Sequence, residues 1–276
     1  MNATVSSASH GVYGTLNYLG DMRETPRFHV HERRYDNLNL CERFVMIADG
    51  RAEPIRLEEH GFCLVQHRTA ADLTRRRDVL RVYRREMSDL IRELTGATHA
   101  IAAPLPVIRA DERCPIRSRS AVHRPIRFVH SDYTDGAARH SIDGWLKEED
   151  SPPECDGRRW AIYHAWRILS RPPHDTPLAL CDARTTATYD MVKAETILDF
   201  PGSRRDRTET LLFRYSDRHR WFYFPDMTQD EVLVFRQFDS DERALGHVPH
   251  TAFREPSCRA DAPGRISIEL RVVAIF

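Results

Sequence analysis

The sequence lacks the features that mark several large classes of protein. No apolar run approaches the roughly 18 residues of a membrane-spanning helix, and the first residues carry neither the basic nor the apolar stretch of a secretory signal. The 6 cysteines are scattered and form no Cys-x-x-Cys pair, so we expect reduced thiols rather than a disulfide framework. These absences favour a soluble protein of the cytoplasm.

The chain also has no excess of charge of one sign. Its 41 Lys and Arg residues balance its 41 Asp and Glu residues, so neither nucleic acid nor an anionic membrane is an expected partner. Lysine occurs only at Lys147 and Lys193, and arginine therefore supplies almost all positive charge. Some of these arginines can form bidentate contacts with carboxylates. We expect a small-molecule ligand, and a homodimer is one alternative for the oligomeric state.

Several common catalytic motifs are missing as well. There is no Gly-x-Ser-x-Gly elbow, no Gly-x-x-x-x-Gly-Lys phosphate loop, no Gly-x-Gly-x-x-Gly fingerprint and no His-Glu-x-x-His pair. Hydrolases, kinases, nicotinamide dehydrogenases and zinc peptidases therefore lack their usual sequence support.

What the chain does contain is a series of short strand-like runs between proline-rich breaks. They cover 126–133, 161–169, 178–183, 211–215, 221–224, 231–238 and 267–276. This pattern predicts a mainly β protein with flanking helices, a double-stranded β-helix of the jelly-roll or cupin-like type. The 276 residues suit a single domain. We expect an N-terminal arm and helix over 1–99, followed by a jelly-roll core over 100–276.

Two helices and one insertion are expected around these strands. Apolar residues at spacings of three, four and seven predict an amphipathic helix over 70–95 that ends at Gly96. The charged segment 135–158 is interpreted as a mobile insertion, either a lid over a site or a plain surface loop. A second short helix is expected over 185–200, with three side chains turned inward: Tyr189, Val192 and Ile197.

The most informative motif is a His-x-Asp pair formed by His130 and Asp132 in a strand-like run. Because alternate side chains of a strand project to the same face, both residues can point at one ion. The distant His250 would complete three ligands. Two imidazoles and one carboxylate on one face of a metal leave other positions open, which is the arrangement of non-haem Fe(II) oxygenases.

Arg265 and Ser267, at the start of the terminal strand, form a candidate site for 2-oxoglutarate. On a strand they share a face, so Arg265 is placed for a bidentate pair with the distal carboxylate while Ser267 donates a hydrogen bond. Arg271 lies on the same face and is an alternative anchor. In the plainer alternative, Arg265 simply pairs with Glu269 or Asp261 at the surface.

Four residues are candidate substrate contacts. Arg167 offers a second fork for a carboxylate, and Trp166 offers a flat apolar face. A core tryptophan beside a surface arginine is the plainer alternative for this pair. Tyr133 and Tyr223 lie next to predicted strands and are candidates too, although tyrosines in such places are more often core or rim residues.

A rival metal site is His29-Val30-His31, which also places two imidazoles on one strand face. Asp36 matches the expected carboxylate only approximately, so we rank this site below the His130 pair. His247 stands three residues before His250, but the intervening proline opposes a helical pairing of the two. His247 is therefore assigned to a loop.

Short motifs along the chain become specific when they are taken together. They are His130-Ser131-Asp132-Tyr133-Thr134, Trp166-Arg167 leading to Pro177-Leu178-Ala179-Leu180-Cys181-Asp182, Tyr223-Phe224-Pro225-Asp226-Met227, Phe238-Asp239-Ser240, His250-Thr251-Ala252-Phe253 and Arg265-Ile266-Ser267-Ile268-Glu269-Leu270-Arg271. With them, the chain from about Arg27 to Phe276 resembles the CmcJ/AsaB-like hydroxylase/desaturase family of secondary metabolism. It departs from the family's pattern at His164-Ala165, where an Asn is expected nearby.

The resemblance implies a non-haem iron, 2-oxoglutarate-type oxygenase fold with His130, Asp132 and His250 as ligands. We therefore expect an Fe(II)/2-oxoglutarate-dependent oxygenase that uses dioxygen to hydroxylate or desaturate a small natural product. Two alternatives stay open. One is a metal-dependent oxygenase that does not use 2-oxoglutarate, with Arg265 on the substrate itself. The other is a non-catalytic oxygenase-like partner subunit.

Overall fold

The computed structural model describes residues 11–111, 114, 122–150, 152–200, 202 and 205–276. Strands in this part of the chain form two sheets. The larger sheet contains β1 (Gly11–Leu19), β2 (Arg27–His29), β3 (Leu40–Asp49), β8 (His130–Ser131), β10 (Leu178–Cys181), β11 (Met191–Leu198), β12 (Asp206–Phe213), β13 (Trp221–Tyr223) and β15 (His250–Ala252). The smaller sheet contains β4 (Phe62–Gln66), β5 (His99–Ala102), β6 (Val107–Ala110), β7 (Val122–His123), β9 (Trp160–Ile168), β14 (Glu231–Asp239) and β16 (Ile266–Ile275).

Helices are few and short in the described residues. The α-helices are α1 (Leu57–His60), α2 (Arg76–Asp78), α3 (Arg84–Thr95) and α4 (Asp135–Leu146), and a π-helical turn (Val79–Tyr83) joins α2 to α3. Three 3-10 turns within the described ranges cover Arg33–Tyr35, Ala183–Thr185 and Thr188–Asp190. None of the helices within the described ranges has both the length and the apolar character needed to cross a membrane.

The eight central strands form a double-stranded β-helix. They stand in the order β14-β9-β16-β6 in the smaller sheet and β13-β10-β15-β8 in the larger sheet. Every pairing among them is antiparallel, and the chain passes repeatedly between the two sheets from β6 to β16. The mainly β jelly-roll fold predicted from the short strands is therefore confirmed.

Further strands extend both sheets at their edges. β1 and β3 join the larger sheet beyond β13, and β4 joins the smaller sheet beyond β14. At the other edge of the larger sheet, the β11–β12 hairpin pairs with β8, and β2 adds to the hairpin in parallel. Strands from the predicted N-terminal arm thus flank the eight-stranded centre on several sides.

Two apolar layers hold the sheets in place. Between the sheets, Phe62, Trp166 and Phe235 of the smaller sheet pack with Leu180 and Phe222 of the larger sheet. α3 covers the opposite face of the smaller sheet with three buried side chains, Met87, Leu90 and Ile91. Because both faces of β9 are covered, this strand is buried along its whole length.

The helix predicted over 70–95 begins later than expected. Helical backbone starts at Arg76 in α2 and continues through the π-helical turn and α3 to Thr95. Before it, the Asp72 carboxylate accepts hydrogen bonds from the backbone and the hydroxyl of Thr74, a local turn that competes with the helix. Gly96 adopts a φ of 68°, and this left-handed conformation ends the helix where the sequence predicted.

The short helix predicted over 185–200 is wrong. This stretch contains the last residue of one 3-10 turn, the whole of a second and then β11, and Tyr189 is 72% exposed rather than turned inward. In β11 the side chains of Ala194 and Thr196 are buried, whereas the side chain of Lys193, next to Ala194, is exposed. This alternation has the two-residue period of a strand. Pairing with β12 along eight residues overrides the weak helical pattern.

The segment predicted to be a mobile insertion begins with a helix instead. The Thr134 side chain caps α4 by accepting a hydrogen bond from the backbone N–H of Ala137. Ile142 is fully buried and packs in one cluster with Val273 and Ile275 of β16. The expectation of a plain loop is therefore wrong for Asp135–Leu146, because its apolar face belongs to the core.

Truncating Ile142 tests this packing. We expect Ile142→Ala to lower the free energy of unfolding by about 2–5 kcal/mol, since it leaves a cavity in a closed cluster. Leu105→Ala is the control, because Leu105 is 58% exposed and its loss should change stability by about 0.5 kcal/mol or less. Urea unfolding of both variants measures the difference. Equal stability of the two would show that α4 is not part of the core.

Candidate metal centre

Two neighbouring strands bring the three predicted ligands together. His130 opens β8, Asp132 follows the end of that strand, and His250 opens β15. His130 and His250 are direct partners in the antiparallel pairing of β8 with β15, and their ring centroids lie 4.2 Å apart. One potential ligand atom from each of the three residues lies within 4.8 Å of the other two. The strand predicted over 126–133 is shorter, but it presents the pair as expected.

Backbone carbonyls orient both imidazole rings. His130 Nδ1 lies 2.9 Å from the Phe128 carbonyl oxygen, and His250 Nδ1 lies 3.3 Å from the Val248 carbonyl oxygen. A carbonyl accepts only from a protonated nitrogen, so these contacts assign the proton to Nδ1 in each ring and leave the Nε2 lone pair free. Second partners of this kind fix metal-binding histidines in many sites.

The carboxylate of Asp132 is held from two sides. Arg271 Nη2 donates to Asp132 Oδ2 at 2.7 Å, and Asp132 Oδ1 lies 3.4 Å from His130 Nε2. Burial raises the pKa of Asp132, but Arg271, together with His130 and His164, outweighs that effect and holds the pKa well below its usual range. The carboxylate is therefore ionised, with Oδ1 turned toward His130.

A second cluster adjoins the first and was not foreseen. His164 on β9 and Glu269 on β16 lie with Asp132 in another group whose potential ligand atoms are within 4.8 Å of one another. His164 Nδ1 is 3.4 Å from Glu269 Oε1, and His164 Nε2 is 4.0 Å from Asp132 Oδ2. Glu269 stands two residues from Arg271 on the same strand face, so strand alternation was the signal that could have found it.

Arg265 and Ser267 are both buried at the beginning of β16. Arg265 Nη1 donates to the Thr176 carbonyl oxygen at 3.0 Å, its guanidinium lies over the Trp166 ring at 5.5 Å, and its Nε has no hydrogen-bond partner within the described chain. Burial lowers the pKa of Arg265 to about 9, so it is a cation at neutral pH. The alternative of a surface pair with Glu269 or Asp261 is wrong.

The four predicted substrate contacts lie in different places. Tyr133 lines a cavity beside Asp132, and Trp166 faces the space between the sheets below Arg265. Arg167 was predicted incorrectly: as the next residue of β9 it points to the other face, where it contacts Tyr83, the His67 carbonyl and the Gln229 carbonyl.

Tyr223 does not reach the cavity beside Asp132 either. It packs edge-on against Phe253 at 5.5 Å and lines a separate cavity with His174 and Pro225. The prediction that it touches substrate at the metal centre is therefore wrong, because β13 lies two strands from β15 in the larger sheet.

The rival site at His29 and His31 is not assembled. His29 is buried and its Nδ1 lies 3.0 Å from Asp199 Oδ2, whereas His31 is exposed. Asp36 accepts a hydrogen bond from the backbone of His29 instead of facing an ion. His247 occupies the loop before β15, as predicted, with Nδ1 2.9 Å from the Gln237 carbonyl oxygen.

A cavity of about 240 Å³ opens beside Asp132, Tyr133 and Arg271. Val107 and Arg109 of the central strand β6 also line it, and further walls come from three elements outside the eight central strands. The N-terminal segment contributes Phe28 and Arg33, the β11–β12 hairpin contributes Thr196 and Thr210, and α4 contributes His140 and Ser141. The cavity thus lies beside the proposed metal ligands, between central strands and added segments, which suits a small-molecule substrate.

A double-stranded β-helix with two histidines and one carboxylate at neighbouring strands defines a class of protein, the non-haem iron oxygenase type. The family described as an oxidoreductase/YMDC permease-like domain matches residues 16–275. The chain belongs to this family.

Curated relatives agree with the class. The alpha-ketoglutarate-dependent dioxygenase phiK of Fungal sp. (strain ATCC 74256) is 29% identical over 250 residues, covering 89% of this chain and 88% of the relative. The hydroxylase/desaturase efuI of Hormonema carpetanum is 29% identical over 303 residues, covering 100% of this chain and 98% of the relative. The resemblance to hydroxylase/desaturases inferred from the motifs is confirmed.

A solved structure shares the fold. The structure titled iron and alpha-ketoglutarate-dependent endoperoxidase NvfI with different conformation superposes with a TM-score of 0.81. It is 24% identical in sequence, and the match covers 96% of this chain and 97% of that chain. The likeness extends over the N-terminal strands and the central β-helix alike.

The burial of His250 predicts a pH dependence of stability. Burial, and then the neighbouring His130, lowers the pKa of His250 to about 3. Below about pH 6.5 the unfolded chain therefore takes up a proton at this residue that the folded chain does not accept. Stability is present in full above that pH and falls as the pH drops toward 3, by up to about 1.4 kcal/mol per pH unit for one proton.

Urea unfolding of the metal-free protein between pH 7 and pH 4 measures this effect. His250→Asn removes the titrating group, so its unfolding free energy should fall less steeply with decreasing pH than that of the natural chain. His99→Asn alters an exposed histidine and serves as the control, with an unchanged slope. A natural slope retained in His250→Asn would contradict the prediction.

Proposed function

We propose that this protein is an Fe(II)/2-oxoglutarate-dependent oxygenase of the cytoplasm that hydroxylates or desaturates a small natural product in secondary metabolism. The proposal rests on the donor atoms of His130, Asp132 and His250, which lie within 4.8 Å of one another. Two relatives named as iron- or alpha-ketoglutarate-dependent dioxygenases support the cofactor and the co-substrate. Relatives named hydroxylase/desaturase support the type of reaction.

The chemistry of the donor set fits Fe(II). Two neutral imidazole nitrogens and one carboxylate oxygen are the ligands of non-haem iron sites that keep open positions for other ligands. The Nε2 atoms of His130 and His250 are free because their Nδ1 atoms face backbone carbonyls. Asp132 would bind through Oδ1, since Arg271 already holds Oδ2. The group formed by Asp132, His164 and Glu269 is the competing position.

Fe(II) and 2-oxoglutarate, when bound, supply the oxidising chemistry: dioxygen is reduced, 2-oxoglutarate is converted to succinate and carbon dioxide, and a substrate C–H bond is oxidised. The chain's own residues bind and orient. Arg271 keeps the Asp132 carboxylate ionised and fixed in direction. Tyr133 and the added segments enclose the substrate beside the metal and exclude water.

Arg265 and Ser267 are the proposed anchors of the distal carboxylate of 2-oxoglutarate. A buried guanidinium with an unpartnered Nε is costly unless an anion completes its hydrogen bonds. Ser267 is buried two positions along the same strand face. Arg271, the alternative anchor, has its Nη2 engaged by Asp132, which favours Arg265 for this role.

Metal titration tests the ligand assignment. We expect His130→Ala, Asp132→Ala and His250→Ala each to weaken Co(II) binding more than about a hundredfold, since each removes a direct ligand. His164→Gln is the matched control and should stay within about tenfold of the natural chain. Anaerobic calorimetry and the Co(II) absorption spectrum give readouts that do not depend on turnover. Loss of binding in His164→Gln alone would move the metal to the second group.

Co-substrate titration tests Arg265. Arg265→Ala should weaken 2-oxoglutarate binding about ten- to hundredfold while metal binding persists, because a charge-assisted bidentate contact is worth about 1.5–3 kcal/mol. Arg265→Lys should recover only part of the loss, since an ammonium lacks the planar fork. Arg271→Ala should instead weaken metal binding through Asp132.

Succinate release during substrate oxidation completes that test. A co-substrate defect in Arg271→Ala with natural behaviour of Arg265→Ala would exchange the two roles. Metal binding without any dependence on 2-oxoglutarate would favour an oxygenase that does not use this co-substrate, and absence of Fe(II) binding would favour a non-catalytic partner subunit.

A further inference from the structure

Within the part of the chain that the structure describes, two arginines in the wall of the cavity beside Asp132 form no ion pair with a carboxylate. Arg33 and Arg109 both line this cavity and are half-buried. Neither forms an ion pair with a carboxylate of the described chain, and each guanidinium is held only by a backbone carbonyl. Arg33 Nη2 donates to the Pro125 oxygen at 3.3 Å, and Arg109 Nη1 donates to the Arg124 oxygen at 3.1 Å.

The two guanidinium groups bind neighbouring backbone carbonyls. Their acceptors are the carbonyls of two consecutive residues, Arg124 and Pro125, so the two side chains converge on one short stretch of backbone. Burial, and then the repulsion from Arg109, lowers the pKa of Arg33. Two like charges held together in a partly dry wall repel each other, and an anion between them would relieve that repulsion.

Three other arginines of the described chain do have a carboxylate partner, unlike the buried Arg167 and Arg265, which bind carbonyls. Arg51 forms a two-point contact with Glu231, Arg159 does so with Asp239, and Arg271 is paired with Asp132. In these cases the chain supplies the counter-charge itself. The carboxylate that acts on Arg33 is that of Asp36, which accepts from the backbone of His29, and those that act on Arg109 are Glu269 and Asp132, which contact Arg271 instead.

We infer that the substrate of this cavity carries an anionic group, in the first place a carboxylate, which binds between Arg33 and Arg109. The inference rests on the proposed function, because it treats the cavity beside the metal as the place of the substrate. Apolar walls formed by Phe28, Ile126 and Phe128 adjoin the two arginines. The substrate is therefore a largely apolar organic acid whose reacting carbon points to Asp132.

A carboxylate could come from 2-oxoglutarate instead of the substrate, and the position of Arg33 favours the substrate. Arg33 belongs to a 3-10 turn of the N-terminal segment, outside the eight central strands. The proposed co-substrate anchors, Arg265 and Ser267, are buried on β16 and are not among the residues that line this cavity. Arg33 thus lies on a different wall from the co-substrate anchors, whereas Arg109 on β6 is the direct partner of Ser267 in the pairing with β16.

Two probes of the same shape test the inference. Calorimetry with the full chain, saturated with Zn(II) and 2-oxoglutarate, compares 2-naphthoate with 2-naphthalenemethanol, which has the same ring system and no charge. We expect 2-naphthoate to bind about tenfold or more tightly than the alcohol, as a charge-assisted contact requires. Arg33→Met and Arg109→Met should each remove most of this preference while the affinity for the alcohol stays within about twofold.

Arg127→Met is the matched control, because Arg127 pairs with Asp111 at 3.4 Å and does not line the cavity. It removes one positive charge near the site and should leave the preference for 2-naphthoate unchanged. Equal affinity of the natural chain for the two probes, or no binding of 2-naphthoate, overturns the inference. So does weaker 2-oxoglutarate binding in Arg33→Met with an unchanged preference for 2-naphthoate.

The metal-free chain separates this inference from the proposed function. If Zn(II) and 2-oxoglutarate bind but the naphthoate preference is absent, the anionic substrate is wrong and the oxygenase stands. If neither metal nor 2-oxoglutarate binds, the oxygenase is wrong. In that case the metal-free chain can still prefer 2-naphthoate over the alcohol. Loss of this preference in Arg33→Met would then support an anion site between the two arginines.

Discussion

The hydrogen bond between Arg271 and Asp132 is the interaction on which the rest of the centre depends. It joins β16 of the smaller sheet to the end of β8 in the larger sheet, through the interior. Without a counter-charge, two buried carboxylates, Asp132 and Glu269, would repel each other close to His164. Arg271 lies within 4.0 Å of both carboxylates. Its contact with Asp132 therefore links the two sheets next to the proposed metal ligands. Its positive charge also compensates the negative charges of Asp132 and Glu269.

Much of this arrangement could be predicted from the sequence, because it follows from local periodicity. The alternation of a strand places His130 beside Asp132, and the same rule applied to the last strand relates Arg265, Ser267 and Arg271. The rule also places Glu269 on that face, yet Glu269 was considered only as a surface partner. A charged residue in a terminal strand is usually exposed, but the two strands that flank β16 bury Glu269.

The parts that could not be predicted depend on contacts between distant segments. Arg167 and Trp166 are neighbours in sequence but face opposite sides of β9, and only the covering helix decides which side is a binding space. The helix expected over 185–200 is a strand because β12 pairs with it. Local sequence patterns do not predict the cavity either, because Arg33 and Arg109 come from separate segments and both bind carbonyls of a third segment.

The origin of the cavity walls has a consequence for how such a protein can diversify. The proposed metal ligands lie on or next to central strands, whereas Phe28, Arg33, Thr196 and His140 belong to segments added around them. Substitutions in the added segments alter the shape and charge offered to a substrate without touching the strand pairing that holds the ligands. A lineage can therefore acquire new substrates while the oxidising centre is inherited intact, and the N-terminal segment is the natural target for directed evolution of selectivity.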